Sequence, residues 1–179
     1  MPRSDMGTYM IVDFGKRHAS FAVVSRGVVV LTSAVQTLGG DALNAMIQKT
    51  KNIDYAAAEK IKTEQGLANI DKNSDLFFSL MSHAGSMRDE ITRRVEYWQN
   101  KKSGEEAAPI TKIILCGGQS SMPGLVDYLA ESLPLTVEIG NPWVNVIDLE
   151  RETPPMNPVD SLRFAKSIGL ALRHLAYGH

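Results

Sequence analysis

Asp13 and Gly15 lie where a short apolar segment, residues 10–12, gives way to polar residues. A carboxylate at the end of a strand can hold hydrated Mg²⁺, and a nearby glycine lets backbone N–H groups come close to a ligand. Sharp turns between strands use Asp and Gly for conformational reasons as well. By itself, this segment therefore indicates either a phosphate site or an ordinary turn.

A second candidate segment, residues 116–124 (CGGQSSMPG), joins a predicted buried strand to a predicted helix. Gly117 and Gly118 expose bare backbone at the carboxyl end of that strand, and Pro123 is typical of a helix start. Open α/β sheets bind ligands at this edge. A plain strand-to-helix loop would use the same residues, so both interpretations stay open from these residues alone.

Glu59 and Lys62 are the third candidate, because residues three apart share one face of a helix. Without further context they are a surface ion pair worth a few tenths of a kcal/mol. The four histidines, at positions 18, 83, 174 and 179, have no spacing typical of metal ligands. No Ser/His/Asp set and no Cys/His pair is indicated, so no catalytic residue is predicted.

Composition limits the function classes. The chain has 179 residues, 44% of them hydrophobic, which suits one domain with at most a small insertion. Nineteen Lys and Arg against twenty Asp and Glu argue against broad binding to nucleic acid or to an anionic membrane. The single cysteine, Cys116, excludes a disulfide framework and favours a reducing compartment such as the cytosol. No export signal is visible, and no apolar run is long enough for membrane insertion.

Three strands are predicted at the start of the chain, over residues 8–12, 19–24 and 28–35, with the second and third forming an antiparallel hairpin. A helix is predicted from residues 38–41, and a second from an Asp54 N-cap to Gly66. The third is a long helix with one apolar face. That face comprises Phe77, Leu80, Met81, Ala84, Met87, Ile91, Val95 and Trp98.

The second half alternates between strand and helix. After a polar loop at 101–109, strands are predicted at 110–116 and 135–139, a helix between them at 123–132, and a final helix from about 159 to 175 beyond a Pro-rich loop. This order predicts an α/β, ribonuclease-H-like fold with parallel pairing and right-handed crossovers. The expected parts are a disordered or tag-like leader at 1–7, a core subdomain at 8–38 and 75–179, and a small helical insertion at 39–74.

Taken together and in order, the three candidate segments resemble those of actin-like ATPases, and most closely the type IV pilus assembly protein PilM family, relatives of FtsA and MreB. Residues 10–15 resemble the second phosphate motif. Residues 58–62 resemble the helix that touches ribose and adenine, and 114–124 the adenosine motif. Further PilM-like segments are 38–41, 140–143 and 168–173. The resemblance runs from about Thr8 to Arg173 and corresponds to the second half of such proteins.

The resemblance implies binding of ATP and Mg²⁺, with Asp13 holding the metal through water. The implied nucleotide-binding residues are Asp13, Gly15, Lys16, Gly39, Gly40, Glu59, Lys62, Gly117, Gly118, Gln119 and Met122. One departure is that Lys16, Arg17 and His18 stand where the family usually has small residues and a Thr. Another is that only one phosphate hairpin is present, so the first domain is expected to be missing. Because phosphoryl transfer needs groups on both sides of the phosphates, we expect weak or undetectable ATP binding and no turnover by this chain alone.

The expected role is that of a scaffold or regulator, cytoplasmic and held at the inner membrane through partners. The resemblance implies as partners the first domain, other actin-like subunits, and an inner-membrane protein of the PilN type, whose tail docks on the first domain in the family. One alternative is half of an FtsA- or MreB-like ATPase. Another is half of a sugar-kinase-type phosphotransferase, although no general base is visible. A ribonuclease-H-like nuclease is rejected because Gly117 and Gly118 stand where a second metal-binding carboxylate is needed.

Overall fold

A five-stranded sheet forms the centre of the protein in a computed structural model, which describes residues 5–100 and 108–177. The strands are β1 (Thr8–Phe14), β2 (Ala19–Ser25), β3 (Val28–Val35), β4 (Lys112–Cys116) and β5 (Thr136–Ile139), in the order β3-β2-β1-β4-β5. The pairs β1–β2 and β2–β3 are antiparallel, whereas β1–β4 and β4–β5 are parallel. The predicted hairpin and the predicted parallel pairing are both confirmed.

Strand β1 shows why the two faces of the sheet differ. Met10, Val12 and Phe14 alternate along it and are fully buried, so they face the helices that form the main core. Ile11 and Asp13 point to the opposite face and are partly exposed. Asp13 pairs with Cys116 of β4 in the sheet register, which places it at the shared carboxyl ends of two parallel strands.

Three helices separate β3 from β4: α1 (Gly40–Lys51), α2 (Tyr55–Glu64) and α3 (Asp75–Asn100). The predicted apolar face of α3 is largely confirmed. It begins with Leu76, which is 1% exposed, whereas Phe77 and Met81 are only half-buried. The reason is helical spacing, since Leu76 lies four residues before the buried Leu80.

Local chemistry sets the ends of the shorter helices. The Asp54 side chain accepts a hydrogen bond from the Ala57 N–H over 2.8 Å, so the predicted N-cap of α2 is confirmed. Helix α4 (Leu125–Ser132) begins after Gly124, which has a φ of +80°, and not at Pro123 as predicted. The predicted final helix is interrupted: α5 (Pro158–Ser161) and α6 (Ala165–Tyr177) are joined by the 3-10 turn Leu162–Phe164.

The segment predicted as an insertion, residues 39–74, contributes to the same core as the strands. Leu43, Ile47 and Ala58 are fully buried and belong to the cluster formed by β1, β2, β4 and α3. The division of the chain into leader, core subdomain and insertion stays a prediction. Residues 1–4 of the predicted leader and 101–107 of the predicted loop lie outside the described residues. In the described part of the chain, no helix combines the length and apolar character needed to cross a bilayer.

Candidate functional site

A cleft of about 680 Å³ opens at the carboxyl ends of β1 and β4. Nine of the eleven residues predicted to bind nucleotide line it, although they come from four separate parts of the chain. They are Asp13, Gly15, Lys16, Gly40, Glu59, Lys62, Gly117, Gly118 and Gln119. The fold therefore brings the three candidate segments of the sequence to one place.

The other two predicted residues lie behind the cleft wall. A Cβ on Gly39 would lie 2.3 Å from the carbonyl carbon of Arg17, so this glycine lets α1 approach the β1–β2 turn closely. Met122 is 4% exposed and belongs to the core cluster. Neither residue lines the cleft, so the structure gives them packing roles.

The turn between β1 and β2 (residues 15–18) and the start of α1 are joined by backbone hydrogen bonds. The Gly40 N–H donates to the Gly15 carbonyl over 3.0 Å, and the Asp41 N–H donates to the Lys16 carbonyl over 2.8 Å. These bonds use amides that a helix N-terminus would otherwise offer to an anion. Gly40 contributes space to the cleft, because a Cβ there would lie 3.4 Å from the Lys62 Nζ and from the Gln119 Cγ.

Gln119 connects the loop after β4 (residues 117–124, the glycine loop) to the same turn. Its Nε2 donates to the carbonyls of Gly15 and Leu38, each over 3.1 Å. The Gln119 side chain is buried, and its Oε1 has no hydrogen-bond partner among the described residues. One amide group therefore connects the loop after β4 to the β1–β2 turn and to the segment before α1.

Gly117 and Gly118 have different structural roles. Gly117 has a φ of +84°, and a Cβ on it would lie 2.4 Å from the Asp13 Oδ1. Only glycine fits there. Gly118 is exposed, and a Cβ on it would contact only the Arg163 Cβ, at 3.9 Å. Gly118 leaves open a surface on which a flat ligand can lie.

Glu59 and Lys62 form a partly buried pair on α2, not a purely solvated one. The Lys62 Nζ and the Asn44 Nδ2 each donate to the Glu59 Oε2 over 2.5 Å, and the Lys62 residue is only 6% exposed. Burial is the largest influence on the Glu59 carboxyl and would raise its pKa. The hydrogen bonds from Lys62 and Asn44 outweigh it, so the pKa lies below the ordinary value of 4.5. At neutral pH Glu59 is a carboxylate that can accept hydrogen bonds from a ligand.

Five lining residues were not predicted from the sequence: Tyr55, Thr63, Ser121, Arg163 and Lys166. Tyr55 lies one helical turn before Glu59, and Thr63 one turn after it, so their spacing on α2 could have indicated both. The Tyr55 hydroxyl donates to the Asp41 Oδ1 over 2.9 Å, and the Lys16 Nζ lies 5.6 Å from the centre of the Tyr55 ring. This cation–π contact favours a direction of Lys16 toward the Tyr55 ring.

Lys166, at the start of α6, reaches the end of β1. Its Nζ lies 3.0 Å from the Asp13 Oδ2 and donates to the Ser20 Oγ over 3.5 Å. The Gly117 N–H donates to the Leu162 carbonyl over 3.2 Å, which holds the segment before α6 against the glycine loop. No spacing in the sequence indicates this pair, because it depends on the path of the chain after β5.

The charge of the cleft differs from that of the whole protein. Lys16, Lys62, Arg163 and Lys166 face two carboxylates, Asp13 and Glu59, so the lining has two more positive than negative groups. The full chain has a formal net charge of −1. This local excess favours an anionic ligand.

Two further observations concern possible metal ligands and the single thiol of the described residues. Within 5–100 and 108–177 no group of three or more His, Cys, Asp or Glu side chains is arranged to hold a metal ion. Burial, with a smaller contribution from Asp13, raises the pKa of the Cys116 thiol to about 12, so it is protonated at neutral pH.

Comparison with known proteins gives one family. The family model described as type IV pilus assembly protein PilM matches residues 1–175. A comparison with curated proteins finds no match.

The fold is similar to that of several solved structures. A PilM-PilN type IV pilus biogenesis complex is 22% identical over 95% of this chain and 46% of the other, with a TM-score of 0.75. MreB 5 of Spiroplasma citri bound to AMPPNP is 14% identical over 98% and 55%, with a TM-score of 0.68. The ethanolamine utilization protein EutJ from Carboxydothermus hydrogenoformans is 17% identical over 93% and 49%, with a TM-score of 0.60. The chain spans about half the length of these structures and has the actin-type ATPase fold.

Proposed function

Because the chain belongs to the type IV pilus assembly protein PilM family, we propose that it is the nucleotide-binding half of a PilM-type protein that serves pilus assembly as a scaffold or regulator. The observation that carries this proposal is the cleft itself. It gathers nine of the predicted residues from four separate parts of the sequence, and its lining has an excess of positive charge. An ATP-type nucleotide combines a flat base, a ribose and an anionic phosphate chain, which suits such a lining.

The charges suggest how the nucleotide is oriented. Lys62 is neutralised by Glu59, so that side of the cleft offers a carboxylate and polar groups to ribose and adenine. Near the β1–β2 turn, Lys16 and Lys166 accompany a single carboxylate, Asp13. We place the adenosine between α2 and Gly118, with the phosphates toward Asp13, Gly15 and Lys16.

The same lining argues against catalysis by these residues alone. Phosphoryl transfer to a substrate needs a group that orients or deprotonates the nucleophile. Asp13 is the single carboxylate at the phosphate end of the described lining, and Lys166 holds one of its oxygens. This favours a binding role over the alternative of a sugar-kinase-type phosphotransferase, and we expect weak binding without turnover.

Partners are proposed from the relatives. A solved structure of similar fold is a PilM-PilN complex, and MreB-type proteins share the fold as well. We propose a PilN-type inner-membrane protein as the partner, which would keep the protein at the cytoplasmic face of that membrane. The family match favours this assignment over an FtsA- or MreB-like protein.

The test is ligand-observed NMR of the adenine protons of ADP, with Gly118→Val as the blocking variant. A Cβ at Gly118 meets only one atom, at 3.9 Å, so the valine preserves the fold while its methyl groups occupy the adenosine surface. Gly169→Val is the matched control, because Gly169 on α6 has nothing within 4 Å of its Cβ position and lies outside the cleft lining.

The proposal predicts saturable binding at millimolar ADP in the wild type and in Gly169→Val, with at least a roughly tenfold loss in Gly118→Val. Equal binding by all three proteins would show that ADP binds elsewhere. Absence of saturable binding in the wild type would refute the nucleotide site.

A further inference from the structure

We propose that Lys166 takes the place of a divalent cation at the phosphate end of the cleft, so that nucleotide binding by this protein does not require Mg²⁺. This inference rests on the proposed nucleotide site. It assigns a ligand-binding role to a residue outside all three sequence motifs. It also replaces the sequence-based expectation that Asp13 holds hydrated Mg²⁺.

The first observation is the position of Lys166. Its ammonium lies 3.0 Å from the Asp13 Oδ2, at the end of β1 where a metal-holding carboxylate was expected. The Asp13 side chain is 14% exposed, so this ion pair is shielded from water more than an ordinary surface pair. A cation that used Asp13 would have to displace Lys166 or lie beside its positive charge.

The second observation concerns hydrogen-bond capacity. A lysine ammonium has three N–H donors, and here two are directed at Asp13 and Ser20. The Lys166 side chain is still 55% exposed and lines the cleft, so the third donor remains available to a ligand there. A phosphate oxygen in the cleft can accept from it. Lys166 then bridges carboxylate and phosphate, as a metal ion does in many nucleotide sites.

The third observation is that the cleft offers Mg²⁺ few ligands. Mg²⁺ is usually held by one or two carboxylates together with phosphates and water. Glu59, the other carboxylate of the lining, is already bonded to Lys62 and Asn44. Asp13 is paired with Lys166 in turn, so each carboxylate of the described lining already has a cationic partner, and with Lys166 in place the lining fits Mg²⁺ poorly.

The balance of charge agrees with this. The lining has an excess of two positive charges from its own side chains, which equals the charge that Mg²⁺ would bring. These side chains offset part of the negative charge of a diphosphate without a metal ion, and Arg163 is also paired with Asp160. Added Mg²⁺ would instead compete with the cleft for the phosphates of free ADP.

The experiment is a protein-observed NMR titration with ADP, once in EDTA and once in excess Mg²⁺. Three variants accompany the wild type: Lys166→Gln, Lys166→Arg, and the control Lys60→Gln, which removes an exposed lysine of α2 outside the cleft lining. The arginine variant keeps the charge and separates loss of the cation from any effect on folding.

In EDTA the wild type should bind ADP within about threefold of its affinity in Mg²⁺, or more tightly. Lys166→Gln should weaken binding in EDTA by about tenfold or more, because a charge-assisted hydrogen bond is lost. It should also become Mg²⁺-dependent, since Asp13 is then free. Lys166→Arg and Lys60→Gln should stay close to the wild type.

Two results would overturn the inference while leaving the nucleotide site in place. One is wild-type binding that is at least tenfold weaker in EDTA than in Mg²⁺. The other is a Lys166→Gln affinity in EDTA equal to that of Lys60→Gln. If the wild type shows no saturable shifts in either buffer, the proposed function itself is wrong and the inference falls with it.

Discussion

Gly117 is the residue of the cleft whose replacement should be least tolerated. Its φ of +84° and ψ of 157° belong to a region that is essentially restricted to glycine. A Cβ at this position would lie 2.4 Å from the Asp13 Oδ1 and 2.5 Å from the Phe14 carbonyl oxygen. The Asp13 carboxylate can rotate away from its partner Lys166. The Phe14 carbonyl oxygen, in contrast, belongs to the backbone of β1, the central strand of the sheet.

The expected cost of Gly117→Ala has two parts. Backbone strain at such a φ and ψ contributes about 1–3 kcal/mol. The contact with the Phe14 carbonyl forces β1 or the glycine loop to shift, which costs about 1–3 kcal/mol more. We expect the free energy of unfolding to fall by about 3 kcal/mol or more. In a domain of this size that lowers the thermal midpoint by roughly 6–12 °C.

Gly118→Ala is the matched control, because it makes the same chemical change one residue later. Its Cβ has a single neighbour at 3.9 Å, so the free energy of unfolding should change by less than about 1 kcal/mol. Urea unfolding followed by circular dichroism measures both variants. If Gly117→Ala is as stable as Gly118→Ala, the described geometry of the glycine loop is wrong.

Two further predictions concern titration and reactivity. Burial, with a smaller contribution from Lys62, lowers the pKa of His83 from 6.5 to about 4. Since the unfolded chain takes up the proton first, the wild type should lose up to about 3 kcal/mol of stability as the pH falls from 6.5 to about 4. His83→Leu should lack that loss, and identical pH profiles of unfolding for the two proteins would contradict the assignment. Because burial raises the pKa of Cys116 to about 12, iodoacetamide at neutral pH should modify it far more slowly in the native protein than in urea. Equal rates in the two states would show that the thiol is accessible and ionised.

Local signals in the sequence were sufficient for most of the fold. The β2–β3 hairpin was predictable because Ser25, Arg26 and Gly27 separate two Val-rich segments. The start of α2 was predictable because Asp54 caps it through its own side chain. The break between α5 and α6 could not be predicted in this way. Apolar residues continue at helical spacing across the 3-10 turn that joins them, so no residue in the sequence marks the break.

The site was predictable only where its residues belong to compact motifs. Gly117, Gly118 and Gln119 are adjacent in sequence, so one loop brings them to the cleft together. Lys166 meets Asp13 only because the chain returns across the end of β1 after β5, and no periodicity describes that path. Gly39 shows a related ambiguity, since a glycine required by close backbone packing looks the same in sequence as one that faces a ligand.

We expect ADP to bind at the carboxyl ends of β1 and β4. The most direct measurement is a map of backbone amide shifts on titration with ADP. We predict that the largest saturable shifts fall on the amides of Gly15, Lys16, Gly117 and Gly118, with one common dissociation constant. Shifts concentrated on the exposed edge strand β3, or no saturable shift at millimolar ADP, would contradict ADP binding at this cleft.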